Sequence, residues 1–407
     1  MSQQPKLILD GRTIKVQLLA ERQRTGVAVH VDWLRFTCQR RHVLPDVDTL
    51  FPSYSDNQWD SANRTRKLQA LLATMPDCEV AGGDGLSFTP DQKAAALDAF
   101  DLAQKVCDAL GPDFSVAIEV RRGHDFYRFR WSIMREEAEV AWVGFLSSSS
   151  SPRQTAQNKT LHVNVFGSAC TFASPGWRDR LADLVDSVNG DITRADLALD
   201  FFDGYPGGLD RVMQDYRDGL CDVSGKRPSS TVAGDWANGH ARSFYIGSKQ
   251  NGKQTNVYEK GDQLFGVEEG SPWVRFELRY GNKLRVLSSD ILRRPADFFA
   301  GASDWHNAVL HESKAQATPQ VVEVEKRRQL ETVDAEVSRN YRWVVNTALP
   351  SLAAWAMEAP ESFLDLLKTN DRPGRLKKFS LSERMASMAR VLSIPSAGGR
   401  GLSAVCA

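Results

Sequence analysis

The sequence predicts an α+β fold: an antiparallel β-sheet core flanked by helices, followed by a smaller all-α C-terminal region. Three observations predict it. Short runs rich in β-branched and aromatic residues recur from residue 27 to about 285. Several of these runs alternate apolar and charged side chains, as strands with one buried face do. From about residue 311 the strand signals fade and helical patterns replace them.

A polar N-terminal tail is expected over 1–26. VAVHVDWLRFT (Val27 to Thr37) then reads as the first strand. A helix is expected over about 90–110, with Thr89 as cap and Pro90 in the first turn. DFYRFRWSI and EVAWVGFL follow as two meandering strands, and the serines Ser147 to Ser151 read as a mobile loop. KTLHVNVFG resumes as a strand, and WRDRLADLVDSVNG has the spacing of a short helix ending at Gly190. ESKAQATPQ reads as a linker. The expected domains are therefore a tail (1–26), a main domain (27–310) and a helical region (311–407).

At 407 residues the chain is long enough for a large core. No apolar run reaches the ~20 residues of a membrane span, and the N-terminus has no secretory-signal pattern, so a cytoplasmic location is expected. The six cysteines include no C-x-x-C pair, which argues against a zinc site or a disulfide framework. Fifty-one basic residues balance fifty-one acidic ones. A neutral total does not favour nucleic-acid binding, so any DNA contact must use local basic surfaces.

Three central strands carry the chemistry. In ITRADLALDFFDG, Ala195, Leu197, Leu199 and Phe201 share an apolar face, and Arg194, Asp196, Ala198 and Asp200 share the other. Asp196 and Asp200 lie ~13 Å apart along a strand, so one ion cannot take both without a bulge. Asp196 is the preferred ligand. In RSFYIGSKQNGKQTNVYEKGDQ, Asn251-Gly252 predicts a two-residue hairpin turn. That register sets Tyr245 opposite Tyr258, on a face shared with Asn256 and Lys260. The arrangement suits either a stacked tyrosine pair or a nucleophile with a cation beside it. In PWVRFELRYG, Val274, Phe276, Leu278 and Tyr280 form the buried face. Glu277 stands between Arg275 and Arg279 on the other, as a salt-bridge ladder or a metal–phosphate site.

At these residues the chain resembles the Rep_trans family of replication initiation factors of filamentous phages, rolling-circle plasmids and related conjugative elements. The resemblance runs through Arg194, Asp196, Ala198, Asp200 and Gly204, then Tyr245-Ile246-Gly247-Ser248 with Val257-Tyr258 and Lys260, then Trp273, Arg275, Glu277 and Arg279. VDWLRFT and TLHVNVFGSAC extend it, to about residues 28–285. It implies a site-specific DNA endonuclease and strand transferase. A tyrosine attacks an origin phosphodiester, leaving a 5′-phosphotyrosine and a free 3′-hydroxyl. Carried over by position, Tyr258 is the nucleophile, helped by Lys260. Asp196 and Glu277, with Asp200 as a lesser candidate, hold Mg2+ or Mn2+. Arg194, Arg275 and Arg279 contact phosphate.

Initiators with a pair of histidines separated by one apolar residue have no counterpart here, although His162 faces away from Leu161, Val163 and Val165 and is a candidate third ligand. A carboxylate site prefers hard ions. Arg121, Arg122, Arg128 and Arg130, with Tyr127, Phe129 and Trp131 on the opposite face, are a candidate DNA surface. Arg375, Lys377, Lys378 and Arg384 are another. The implied partners are origin DNA, first double-stranded and then nicked to a single strand, and a host helicase and polymerase. The oligomeric state stays open. Two other readings share these residues: a non-catalytic origin-binding regulator, and a mobilisation relaxase. The absence of a G-x-x-x-x-G-K-[ST] loop argues against an intrinsic ATPase.

Overall fold

The computed structural model describes residues 11–43, 80, 88–149, 156–315, 317–320 and 379–392, with isolated positions between 337 and 358. Contacts divide the chain into two compact units, Met1–Glu323 and Val324–Ala407. In the second unit the described helix spans Leu381–Leu392. Arg375, Lys377 and Lys378, and Ser150 and Ser151 of the expected mobile loop, lie outside the described residues.

The first unit is built on a ten-stranded sheet whose strand pairs are all antiparallel. In chain order the strands are β1 (Val29–Gln39), β2 (Ser115–Arg122), β3 (Tyr127–Arg135), β4 (Ala138–Ser147), β5 (Thr160–Val165), β6 (Asp191–Phe201), β7 (Ser230–Asp235), β8 (His240–Ser248), β9 (Lys253–Glu259) and β10 (Val274–Gly281). They are arranged β2-β3-β4-β5-β1-β6-β10-β9-β8-β7. Consecutive strands pair through hairpins on each flank, and β1 joins the two halves by lying between β5 and β6. The expected α+β architecture is therefore present, with β2 and β7 as two further strands not expected from the sequence.

The N-terminal segment is not a featureless tail. It contains helix α1 (Gly11–Thr25), whose Ile14 and Leu18 pack with Phe202 and Trp273. The helix carries just these two buried apolar side chains among many charges, so its apolar periodicity is faint in sequence. Helix α2 (Pro90–Leu110) begins where expected, and its cap is reciprocal. The Thr89 side chain accepts from Gln92 N, and the Gln92 side chain accepts from Thr89 N. Helix α3 (Gly167–Phe172) and helix α4 (Trp177–Ser187) follow β5, and helix α5 (Gly208–Arg217) follows β6. The other helices among the described residues of this unit are α6 (Lys260–Phe265), α7 (Asp290–Arg293), α8 (Pro295–Ala300) and α9 (Asp304–Glu312).

One sheet face is the core. Phe36, Ala195, Leu197, Leu199, Val257, Phe276 and Leu278 are each fully buried there, among Leu102 and Val106 of α2 and Trp305 and Val309 of α9. The apolar face expected for β6 is thus observed, and so is the one expected for β10. Burying the larger of these side chains contributes about 1.5–3 kcal/mol each before the entropy of ordering the chain is subtracted.

The hairpin between β8 and β9 departs from its expected register. Ser248 pairs with Lys253, so the connection spans Lys249–Gly252 rather than Asn251-Gly252 alone. Lys249–Asn251 form a single tight helical turn, capped by the Ser248 hydroxyl, and Gly252 takes φ 66° to re-enter the strand. The two extra loop residues shift the ladder. Tyr245 faces Asn256, and Tyr258 faces Ser243. The predicted tyrosine pair does not form.

His306, on α9, is buried between Thr255 Oγ1 at 2.8 Å from its Nε2 and Ser303 Oγ at 2.7 Å from its Nδ1. Burial, with the nearby Lys253, pushes this imidazole down to about 3. The folded state thus refuses a proton that the unfolded chain accepts near pH 6.5, so stability is full above that pH and is lost as pH falls below it. Glu277, raised by burial, acts in the opposite sense, so the test is a comparison. Between pH 7 and pH 5 the wild type should lose about 2 kcal/mol more unfolding free energy than His306→Gln. Urea titrations at the two pH values check this, and equal losses would refute it.

Candidate active site

The opposite face of the sheet is polar, and its side chains come from β1, β6, β9 and β10. Arg194, Asp196, Ala198 and Asp200 stand along β6. Across from them on β10 are Gly281, Arg279, Glu277 and Arg275 in register. Asn256 and Tyr258 on β9 oppose Glu277 and Arg275. The alternation read from the sequence therefore puts the named groups on one side of one sheet.

Tyr258 is 8% exposed, and its hydroxyl donates to Glu277 Oε2 at 3.3 Å. Burial raises the phenol pKa well above its usual value, and Arg275 opposes that shift. Lys260 is not a strand residue as expected. It opens α6, yet its ammonium still lies 5.6 Å from the Tyr258 ring centre and donates to Gln263. Burial and the charge of Arg275 bring this ammonium down to about 8. Glu277 is pushed up to about 7, first by burial and then by Asp32 and Asp196. A phenol, a carboxylate near neutrality and a weakened ammonium thus meet at one point. Groups tuned toward pH 7 are suited to proton movement.

Asp32 is a member of this cluster that the sequence reading missed. It lies 2.9 Å from Arg275 Nη1 and 3.6 Å from His30 Nε2. Burial favours its neutral form, but Arg275 and His30 outweigh that and hold the carboxyl below the usual range. It belongs to a register shift in β1. Val31 pairs with Leu197 while Trp33 pairs with Asp196, so a bulge at residue 32 turns both Asp32 and Trp33 toward the polar face. A lone acid inside an apolar strand was the available signal.

Several expected roles change. Arg275 is 2% exposed and is locked by Asp200, at 2.7 and 3.1 Å, and by Asp32. It is a buried structural cation, not a phosphate contact. Asp200 also accepts from Trp273 Nε1 at 2.6 Å, so both its oxygens are taken. Asp196 is 1% exposed and is gripped by Arg194 and Arg279. Neither aspartate is arranged as an open metal ligand. His162 is not a surface residue: it is 7% exposed, lies between Tyr127 and Trp142, and burial brings it down to about 4. On β5 it stands four strands across the sheet and about nine residues along it from Tyr258, roughly 35 Å away at normal strand spacing and rise. Tyr127, stacked on His162, departs from Phe129 and Trp131, which remain in the core as expected. Positive φ at Phe126 and Leu146 marks the irregular end of that ladder. Arg130 is engaged by Glu139 and the Arg122 carbonyl, whereas Arg128 is exposed over the Phe129 ring.

Among the described residues no group of three or more histidine, cysteine or acidic side chains is arranged to hold a metal ion. One buried atom beside the tyrosine nevertheless lacks a hydrogen-bond partner: Asn256 Oδ1, on the residue facing Glu277. An orphaned amide oxygen opposite a carboxylate raised by its acidic neighbours is a donor set that a hard cation relieves.

Residues 190–368 match the Rep_trans family, described as replication initiation factor. A solved structure of the rolling circle replication initiator protein from Geobacillus stearothermophilus is similar at 16% identity with a TM-score of 0.38, covering 67% of this chain and 83% of that one. No curated protein matches. No helix among the described residues is long and apolar enough to cross a membrane.

Proposed function

We propose that this chain, whose residues 190–368 match replication initiation factors, starts rolling-circle replication by cutting one strand of origin DNA with Tyr258. The observation that carries the reading is the Tyr258 hydroxyl donating to Glu277 in a cluster with Asp32, Arg275 and Lys260. In the step, the phenolic oxygen bonds to the scissile phosphorus and the bond from phosphorus to the 3′ oxygen breaks. The 5′ side stays on Tyr258, and the 3′ oxygen leaves as a hydroxyl once it gains a proton.

Each residue has a part in this. Glu277 Oε2 receives the hydrogen bond that aligns the phenol, and it is where the phenolic proton is directed. The Lys260 ammonium faces the ring on which negative charge develops. Arg275 keeps Asp32 ionised. Glu277 and Asn256 are the side chains that would hold Mg2+ or Mn2+. Such an ion would supply positive charge against a non-bridging phosphate oxygen. Arg194 and Arg279, both partly exposed, are placed to meet the flanking strand.

Incubating the protein with supercoiled origin DNA and Mg2+ or Mn2+ tests the reading. The expected product is a nicked circle whose 5′ end is covalently attached to Tyr258, identified by mapping the adducted peptide. Attachment at Tyr245, or nicking with no covalent link, would overturn it. Glu277→Ala should lose cleavage and still bind origin DNA, as read by gel shift.

A further inference from the structure

We infer that Trp33, with Arg35, Arg194 and Arg279, forms a second subsite that grips a nucleotide of the single strand next to the cut: a base on the indole and a phosphate on the guanidinium groups. The inference rests on the reading of the protein as a DNA-nicking initiator and adds a place for the strand to lie.

The bulge in β1 creates the subsite. Strict alternation from Val31 would send Trp33 into the core, and the bulge instead leaves its ring partly exposed beside Asp196 on the polar face. The ring is fixed in place. Its Nε1 donates to Asn164 Oδ1 at 2.7 Å, and Arg35 Nε donates to the same oxygen at 3.2 Å. Phe166 packs 5.0 Å from the indole, the Arg194 guanidinium lies 4.5 Å from it, and that of Arg35 lies 5.8 Å away.

Three guanidinium groups gather around the indole. Arg194 and Arg279 share the carboxylate of Asp196, Arg279 also lies 3.6 Å from Glu277, and the other partner of Arg35 is the exposed Asp125 at 3.1 Å. These arginine side chains are 19–26% exposed. Burial and the charges of Arg194 and Arg279 push the Arg35 guanidinium pKa down, so the three cations repel one another. A phosphate relieves that repulsion, and guanidinium forks suit its oxygens. An aromatic ring flanked by cations is the element that single-strand binding surfaces use, because every base has a face to stack.

The geometry also matches the proposed cut. Trp33 is separated from Tyr258 by three strand spacings across the sheet and by four residues along it, roughly 19 Å in all. That is no more than about six nucleotides at the ~3.4 Å rise of a stacked strand. One strand can therefore occupy both places.

The test uses the Tyr258→Phe protein, so that binding is read without cleavage, and a fluorescein-labelled, mixed-sequence single-stranded oligonucleotide. Trp33→Ala in this background should weaken binding about 5- to 150-fold, the loss expected for one stacked base. Trp33→Phe should keep most of the affinity. Arg35→Ala should lower the slope of log affinity against log salt by about 0.7, the value for one phosphate of a single strand, and Trp33→Ala should leave that slope unchanged. Thermal unfolding of each variant separates lost structure from lost contact. Unchanged binding by Trp33→Ala overturns the inference, and so does an equal loss in a folded Trp33→Phe. Either result leaves the covalent-attachment test of Tyr258 standing.

Discussion

Tyr258→Phe should abolish origin nicking while leaving the protein folded and able to bind DNA. Removing an attacking oxygen costs at least about 10^4-fold in rate when the rest of the machinery remains, because no neighbouring group can replace it. Here the replacement is isosteric. The hydroxyl makes one long hydrogen bond, 3.3 Å to Glu277, and the ring stays packed beneath Lys260. Losing that bond should change stability by about 1 kcal/mol. A nearly unaltered unfolding midpoint with no covalent adduct would therefore isolate the chemistry. Tyr245→Phe is the control. Tyr245 faces Asn256 on the same side of the sheet, one strand further from Glu277, and it should still form the adduct. Persistent attachment in Tyr258→Phe would sink the assignment.

What could be read beforehand follows from period and proximity in sequence. The alternation in ITRADLALDFF and VRFELRY put Asp196, Asp200, Arg275, Glu277 and Arg279 on one face, and that face is where they stand. Alternation gives the face but not the partner. Nothing in the sequence says that Arg275 is spent on Asp200 and Asp32, since Asp32 lies 243 residues earlier in the chain. Whether a carboxylate is an open ligand or one half of an ion pair depends on such long-range pairings. The two other misses are local insertions in a ladder. Two extra residues in the β8–β9 loop moved Tyr245 off Tyr258, and one extra residue in β1 brought Trp33 to the polar face. Pairing register depends on the neighbouring strand, so a single strand's sequence does not reveal it. Helix α1 was missed for a different reason. Its two buried side chains are too few to mark a helical period, and its position depends on Phe202 and Trp273, supplied from far along the chain.

Arg275→Leu should be strongly destabilising, at about 3–5 kcal/mol. The side chain is 2% exposed and neutralises Asp200 and Asp32 together. Leucine fills part of the volume but strands two carboxylates with little solvent to compensate them. The surface cation Arg293 provides the contrast. It touches Asp183, Asp186 and Asp290, yet those carboxylates are 50–73% exposed, so Arg293→Ala should cost less than about 1 kcal/mol. The number of ion pairs does not decide the outcome; burial does. The loss in Arg275→Leu should also depend on pH in a definite direction. In the wild type Arg275 holds the Asp32 carboxyl below its usual range, which favours the folded state above the unfolded pKa near 3.9. Without the guanidinium, burial dominates and the folded pKa rises above that value. The variant should then recover part of its stability as pH falls from 7 toward 5, narrowing its gap to the wild type. Urea midpoints for both proteins at these two pH values decide the matter. A gap under about 1 kcal/mol at pH 7, or one that widens on acidification, would mean that Asp200 and Asp32 find other compensation, and that Arg275 is not the charge on which the tyrosine cluster is built.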